Sequence, residues 1–486
     1  MKNLSDAITY ETNALTQKTA TLRPEFHVTP AVGWLNDPNG FSFYNGIYHL
    51  FYQYYPFTTR WGPMHWGHVT TTDFIQWKFL PAVLAPDHDY DGDGCFSGSA
   101  VSVDGIHYLI YTGVSVKDAG GTFYQTQCVA KGDGVSYEKL PQNPVIPSAL
   151  VPKEASLQDF RDPKVWAENG RLYLVAVSCS KDKSGMILLY SCDQNDITNW
   201  RFESVLLKNN NRFGKIWECP DFFSLDGTDV VIVSPMDMTF KEYEYHSGNG
   251  CIYFTGTLDP ETKEFTESHV ASVDHGLDFY APQSLLAEDG RRIMIGWMQS
   301  WDSYLTPEGF TWSGMMTVPR ELSVKNGRLF QTPVRELSRY YKNTFMFSDV
   351  QVRDAVTLPG VAGRVADMTV TLNRCDCTRF RILLAKNTAF YTELMYEPAS
   401  GVLTFDRTNS GLVRDAAMTR KIRLNPETHS QVTLRIVLDR YSVEVFANEG
   451  EQVMTSLIFT EQTAADIVFA AEGGEASIQV EFHALA

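Results

Sequence analysis

Three acidic residues stand in short, turn-rich motifs far apart along a chain of 486 residues. Asp37 lies in Trp34-Leu-Asn-Asp-Pro-Asn-Gly40, Asp162 in Phe160-Arg-Asp-Pro163 and Glu218 in Trp217-Glu-Cys-Pro-Asp221. Each precedes an Asn-Gly or Asp-Gly pair (45–46, 169–170, 226–227) by seven or eight residues. An ionised carboxylate facing a protonated one is the apparatus for breaking a glycosidic bond, and a third acid can hold sugar hydroxyls. Like charges brought together raise one another's pKa, which costs stability unless the site uses the effect. The chemistry depends on a fold that gathers the three acids, since 162 − 37 = 125 and 218 − 162 = 56 residues separate them.

The turn pairs show how that gathering is done. Asn45-Gly46, Asp104-Gly105, Asn169-Gly170, Asp226-Gly227 and Asp289-Gly290 each precede an alternating apolar run. The glycine positions differ by 59, 65, 57 and 63 residues. An Asn/Asp-Gly pair supplies the two φ > 0 positions of a type I′ hairpin, and the run after it is the return strand. Asp37 is expected just ahead of the first strand of its hairpin. Five units of about 60 residues with about four strands each predict a five-bladed β-propeller; five unrelated hairpins in a large sandwich are the alternative. An Asp-x-x-x-Trp echo at Asp73–Trp77 and Asp196–Trp200 supports the repeat.

In a propeller the first strand of each blade lines the axis, so equivalent offsets converge at one end of the channel. That gathers Asp37, Asp162 and Glu218 with Ser97 of the second unit and Tyr280 of the fifth. Phe96, Tyr280, Trp34, Trp61 and Trp297 are suited to stacking on a sugar, and Asn36 and Gln53 to pairing with its hydroxyls. Arg161 adjoins Asp162.

Length alone predicts two domains. A hydrophobic fraction of 44% with 20% charged residues is globular. The net charge, 41 − 58 = −17, repels phosphate backbones and anionic lipid, which disfavours nucleic-acid and membrane partners and favours a neutral small molecule. No signal-peptide core or membrane-length apolar run is evident. Eight scattered cysteines lack metal spacing and read as reduced thiols, which predicts a cytoplasmic protein. Asp89-Tyr-Asp-Gly-Asp-Gly94 resembles half a calcium loop, but Ala100 stands where the bidentate Glu belongs, so it reads as a polar rim loop. His65 and His68 have no partners at ligand spacing. No metal or cofactor is expected.

Residues 1–338 are expected to hold a lead-in, with a short helix around Ala7 to Gln17, and the propeller. Beyond it, Thr369–Asn373, Arg379–Leu384, Val432–Leu438 and Ser442–Phe446 alternate as strands with one buried face. Residues 345–486 therefore read as an antiparallel β-sandwich without a catalytic constellation, packed on the propeller through a polar join, and able to pair with a second subunit. The fold class is all-β.

These motifs, with Phe96-Ser-Gly-Ser99, Phe279-Tyr-Ala-Pro282 and Ser442-Val-Glu-Val-Phe446, resemble those of glycoside hydrolase family 32, the invertases or β-fructofuranosidases, in order and over essentially the whole chain. The resemblance implies a propeller carrying a sandwich, and retaining hydrolysis with Asp37 as nucleophile, Glu218 as acid/base and Asp162 binding fructose hydroxyls. Substrate contact by Trp61 and Trp297 is likewise implied. Trp61-Gly-Pro-Met-His-Trp-Gly-His68 is similar to the run in members that take unphosphorylated sucrose or short fructo-oligosaccharides. Sucrose 6-phosphate hydrolysis, fructosyl transfer, an inverting arabinanase and a non-catalytic sugar-binding propeller stay open as alternatives.

Overall fold

The computed structural model describes residues 3–16, 22–116, 122–412, 416–424 and 431–485. Five four-stranded antiparallel meanders form the blades of a propeller. Blade one runs through Gly33–Tyr44, Ile47–Tyr55, His65–Thr71 and Lys78–Leu84; blade two starts at Gly94–Val103, blade three at Arg161–Glu168, blade four at Trp217–Leu225 and blade five at Tyr280–Leu286. Side chains stitch these innermost strands together. Gln283 accepts from the Phe41 amide at 2.9 Å and donates to the Gly98 carbonyl at 3.0 Å, and Ser99 donates to the Pro163 carbonyl at 2.7 Å.

The ring closes without sharing strands between first and last blades. Instead the short strand Trp312–Ser313, from an excursion in blade five, pairs parallel with Gly33 and Trp34. Four of the five expected hairpin turns are type I′, with both central residues at positive φ, from Asn45 (50°) and Gly46 (77°) to Asp226 (51°) and Gly227 (76°). The fifth differs. Asp289 is not left-handed, and the connection is a longer loop in which the Gly290 amide donates to the Ala287 carbonyl. Asn326-Gly327 makes a further turn of the I′ kind in the outer half of blade five. In the two Asp-x-x-x-Trp segments, Asp73 and Asp196 accept from backbone amides two or three residues on.

Two six-stranded sheets form the sandwich, one ordered from Asn343–Val352 at its edge to Gln452–Leu457, the other from Ala355–Val356 to Thr419–Arg423. Its core holds Phe380, Ile382, Phe405, Ile436, Val445, Phe469 and Phe482. The join is a 3-10 turn, Arg335–Tyr340, after which the Tyr341 hydroxyl donates to Asp367 at 2.6 Å. The helix runs Leu4–Thr16, and Gln17 lies outside the described residues. Among the described residues no helix is long and apolar enough to cross a membrane.

Candidate active site

Every innermost strand breaks register with its neighbour at the motif position. Leu35 pairs with Tyr54 and Pro38 with Tyr52, so Asn36 and Asp37 oppose the single residue Gln53. The same two-against-one irregularity falls between Arg161 and Lys164, between Glu218 and Asp221, and between Tyr280 and Gln283, while a single extra residue, Ser97, sits between Phe96 and Gly98. Asp37 is thus inside the first strand, at a bulge, rather than ahead of it. A bulge kinks the strand and re-aims its side chains. Pro163, Pro220 and Pro282 occupy these bulges, where the missing N–H breaks no ladder bond, and Pro38 directly follows the bulge of blade one. Asp162, Cys219 and Ala281 take left-handed φ of 61°, 48° and 50° there.

The five bulges meet on the propeller axis. Pro38, Ser97, Asp162, Cys219, Pro220 and Pro282, drawn from all five blades, line a space of about 10 Å³, close to the volume one water needs.

Around this neck the polar side chains form one network. Asp37 Oδ2 accepts from Ser97 Oγ at 2.6 Å and from the Cys219 thiol at 3.3 Å, and Oδ1 accepts from Asn36 Nδ2 at 3.0 Å. Trp34 Nε1 fixes the Asn36 amide at 2.8 Å. Asp162 Oδ2 accepts from the Cys219 amide at 2.9 Å, and the Asp162 amide donates to Thr112 Oγ1. Glu218 Oε1 accepts two bonds from Arg161, at 3.2 and 3.1 Å. Its Oε2 lies 2.8 Å from the Tyr280 hydroxyl, which is also 3.0 Å from the Ser234 carbonyl. That carbonyl can only accept. If the phenol gives it its proton, the phenol oxygen is left to accept one from Glu218.

Burial pushes the Asp37 carboxyl up; the Ser97 hydrogen bond pulls it back, and the negative charge of Glu218 adds to the rise. Asp162 is pushed up by burial and by Glu218 and Asp37, against the pull of Arg161. The expected crowding of like charges is real, and Arg161 is the cation that makes it tolerable. Burial alone would weaken the hold of Arg161 on its proton, but Glu218, Asp162 and Asp159 strengthen it.

Several residues sit differently from expectation. Arg161 binds Glu218 rather than its neighbour Asp162, which lies at 3.8 Å. Ser97 is a partner of Asp37. Tyr280, fully buried, offers its hydroxyl to Glu218 rather than its face to a sugar. Trp297, also fully buried, does not front the pocket and backs Trp34 and Trp301 at 5.9 and 4.9 Å. Gln53 is buried and donates to the Cys95 carbonyl. Trp61 is half-exposed and meets the Phe96 ring edge-on, so it is the tryptophan of the pair placed to cover a ligand. Cys219, whose thiol lies between two acids, was not singled out from sequence, although its place in the Glu218 motif carried the signal. Nor were Trp301 and Tyr304, stacked along Trp34, or Arg60, lying 3.4 Å over the Tyr304 ring.

Away from the site, Asp91 of the calcium-like loop is turned inward and accepts from Lys139 at 2.6 Å and Tyr111 at 2.8 Å. A cation of the chain itself thus occupies the place beside Asp87, His88 and Asp91, the group whose ligand atoms cluster. His68 stacks in the blade against His49, at 3.0 Å between ring nitrogens.

Residues 27–333 match the model of the glycosyl hydrolases family 32 N-terminal domain, and residues 336–484 match the family 32 C-terminal model. The chain belongs to glycosyl hydrolase family 32. It is a glycosidase by that membership. Family 32 relatives include a sucrose-6-phosphate hydrolase of Escherichia coli, 36% identical over 94% of each chain, and a raffinose invertase of Escherichia coli, 36% identical over 94% of this chain and 93% of its own. The fold superposes on a family 32 β-fructofuranosidase variant of Bombyx mori solved with sucrose, with a TM-score of 0.85 and 32% identity over 99% of this chain and 97% of that one.

Proposed function

We propose that this chain is a retaining β-fructofuranosidase that removes terminal β-D-fructofuranosyl groups from sucrose or short fructo-oligosaccharides. The observation that carries the reading is the meeting of Asp37, Asp162 and Glu218 in one network at the propeller neck, with distinct partners for each. Asp37, with three donors and no cation on it, is suited to attack as an anion. Glu218, held by Arg161 on one oxygen and facing a phenol with the other, is suited to pass a proton. Asp162 is left to bind fructose hydroxyls.

Ionised Asp37 attacks the anomeric carbon of the terminal fructose as Glu218 protonates the departing oxygen, giving a covalent fructosyl-enzyme. Water deprotonated by the same Glu218 then displaces Asp37, and two inversions return the β-anomer. Trp61, half-exposed and edge-on to Phe96, is placed to cover the bound sugar. The sugars named by the relatives, sucrose 6-phosphate among them, share the fructosyl half that this network addresses.

Asp37→Asn, nearly isosteric, should lower kcat on sucrose by at least about 10³-fold with the fold intact. Near-wild-type turnover in that variant would end the assignment. Fresh product followed by NMR should show β-fructose first; the inverted anomer would point instead to the arabinanase-like mechanism. At high sucrose free fructose should exceed fructosyl oligomers, and the reverse would make the enzyme a transferase. All eight cysteines are unbridged, which supports action in the reducing cytoplasm.

A further inference from the structure

The sandwich reaches the acid/base through three residues of blade five. Its edge strand Gln452–Leu457 lies along the segment that leads into Tyr280: the His275 amide donates to the Val453 carbonyl at 2.8 Å and the Asp278 amide to the Thr455 carbonyl at 3.0 Å. The fit is tight, since a Cβ on Gly276 would meet the Thr455 carbonyl oxygen at 2.0 Å. Asp278, fully buried, turns its carboxylate into the sandwich, where Oδ2 accepts from the Leu457 amide at 2.8 Å and from Arg407 Nη1. Arg407 is itself fixed to the Leu457 carbonyl at 2.9 Å and the Ala417 carbonyl at 3.0 Å. Two residues beyond Asp278, the Tyr280 hydroxyl meets Glu218.

Resting on the hydrolase reading above, we propose that the Asp278–Arg407 pair is a positioning element for catalysis: the sandwich anchors Asp278 so that Tyr280 stays against Glu218 Oε2. An interdomain ion pair needs no such address to stabilise the fold. A second buried set, Arg320 with Asp274 and Glu444, already joins the two domains at the start of the same segment, where Asp274 also accepts from the Thr455 amide and hydroxyl. What distinguishes Asp278–Arg407 is its place, two residues before the phenol, whereas Asp274 stands six residues before it. Loosening it moves the phenol, and Glu218 is left held by Arg161 alone.

The consequence is specific to proton donation. Breaking the C–O bond of sucrose leaves an alkoxide that must take the Glu218 proton as it departs. The C–F bond of β-D-fructofuranosyl fluoride breaks to give fluoride ion, which needs no proton. Asp278→Asn keeps the shape and removes the charge, and Arg407→Lys keeps the charge and removes the fork. Either should lower kcat/KM on sucrose by about tenfold, with KM little changed, and leave kcat/KM for fructosyl fluoride, which covers only the steps up to fluoride departure, within about twofold of wild type. Equal losses on both substrates, whether from unfolding or from a general lesion, overturn the proposal, as does no loss on either. A wild-type enzyme that cleaves neither substrate would instead overturn the hydrolase reading itself.

Discussion

Ser97 Oγ lies 2.6 Å from Asp37 Oδ2, a bond made across the seam between the first two blades. A hydroxyl donating to a carboxylate favours its ionised form. Burial, the larger influence, raises the Asp37 carboxyl above the ordinary range, and Ser97 is the strongest force pulling it back. Attack requires the anion, so the acid limb of kcat/KM reports this group in the free enzyme. Ser97→Ala removes a lowering influence, the carboxyl rises further, and the acid limb must move to higher pH. A shift of about one unit is the expected size for one charge-assisted bond. An unchanged or lowered acid limb, measured on sucrose from pH 3 to 8, would show that Asp37 does not govern it.

The Cys219 thiol stands 3.3 Å from one carboxylate and 3.7 Å from another. Burial pushes the thiol well above its usual value, and the charges of Asp37, Asp162 and Glu218 push it further. Alkylation needs the thiolate. Iodoacetamide at pH 8 should therefore leave Cys219 unmodified in the folded enzyme, with activity retained, and label it after denaturation. Peptide mass mapping decides this, and rapid labelling of the native protein would contradict the described environment.

Much of the propeller was legible because one device recurs: an Asn/Asp-Gly turn with a functional residue seven to nine positions before it. The prolines after Asp37, Asp162 and Cys219 stand in or directly after the bulges. The fifth turn departs because Asp289 belongs to a longer loop, stapled by Arg291 to Asp289 and Glu336. What local spacing could not reveal is which side chains meet across blades. Arg161 is adjacent to Asp162 in the chain but binds Glu218, because the bulge re-aims it toward blade four. Trp297 has the composition of a sugar platform, yet the Trp34 and Trp301 rings lie against it. Glu444, within the motif Ser442–Phe446, gave no hint that it faces another domain.

That residue leads to the alkaline side of the stability curve. His27 is buried between two sandwich carboxylates, with Nδ1 2.8 Å from Asp439 and Nε2 2.9 Å from Glu444, while Arg320 takes the other Glu444 oxygen at 2.7 Å. With both ring nitrogens facing acceptors, the imidazolium form completes both bonds. Burial alone would lower its pKa, but the two carboxylates outweigh burial and raise it to about 9, from 6.5. A group whose pKa rises on folding stabilises the fold fully below its unfolded value, and the contribution is lost as pH climbs through the folded value. The window is therefore about pH 6.5 to 9. With 9 − 6.5 = 2.5 at about 1.4 kcal/mol per pH unit, the loss is about 3 to 4 kcal/mol. Thermal melts should show Tm falling across that window in the wild-type enzyme, and His27→Gln should start less stable and lose that slope. If Tm is flat from pH 6.5 to 9 in the wild type, or slopes equally in both proteins, His27 is not the charged link between propeller and sandwich.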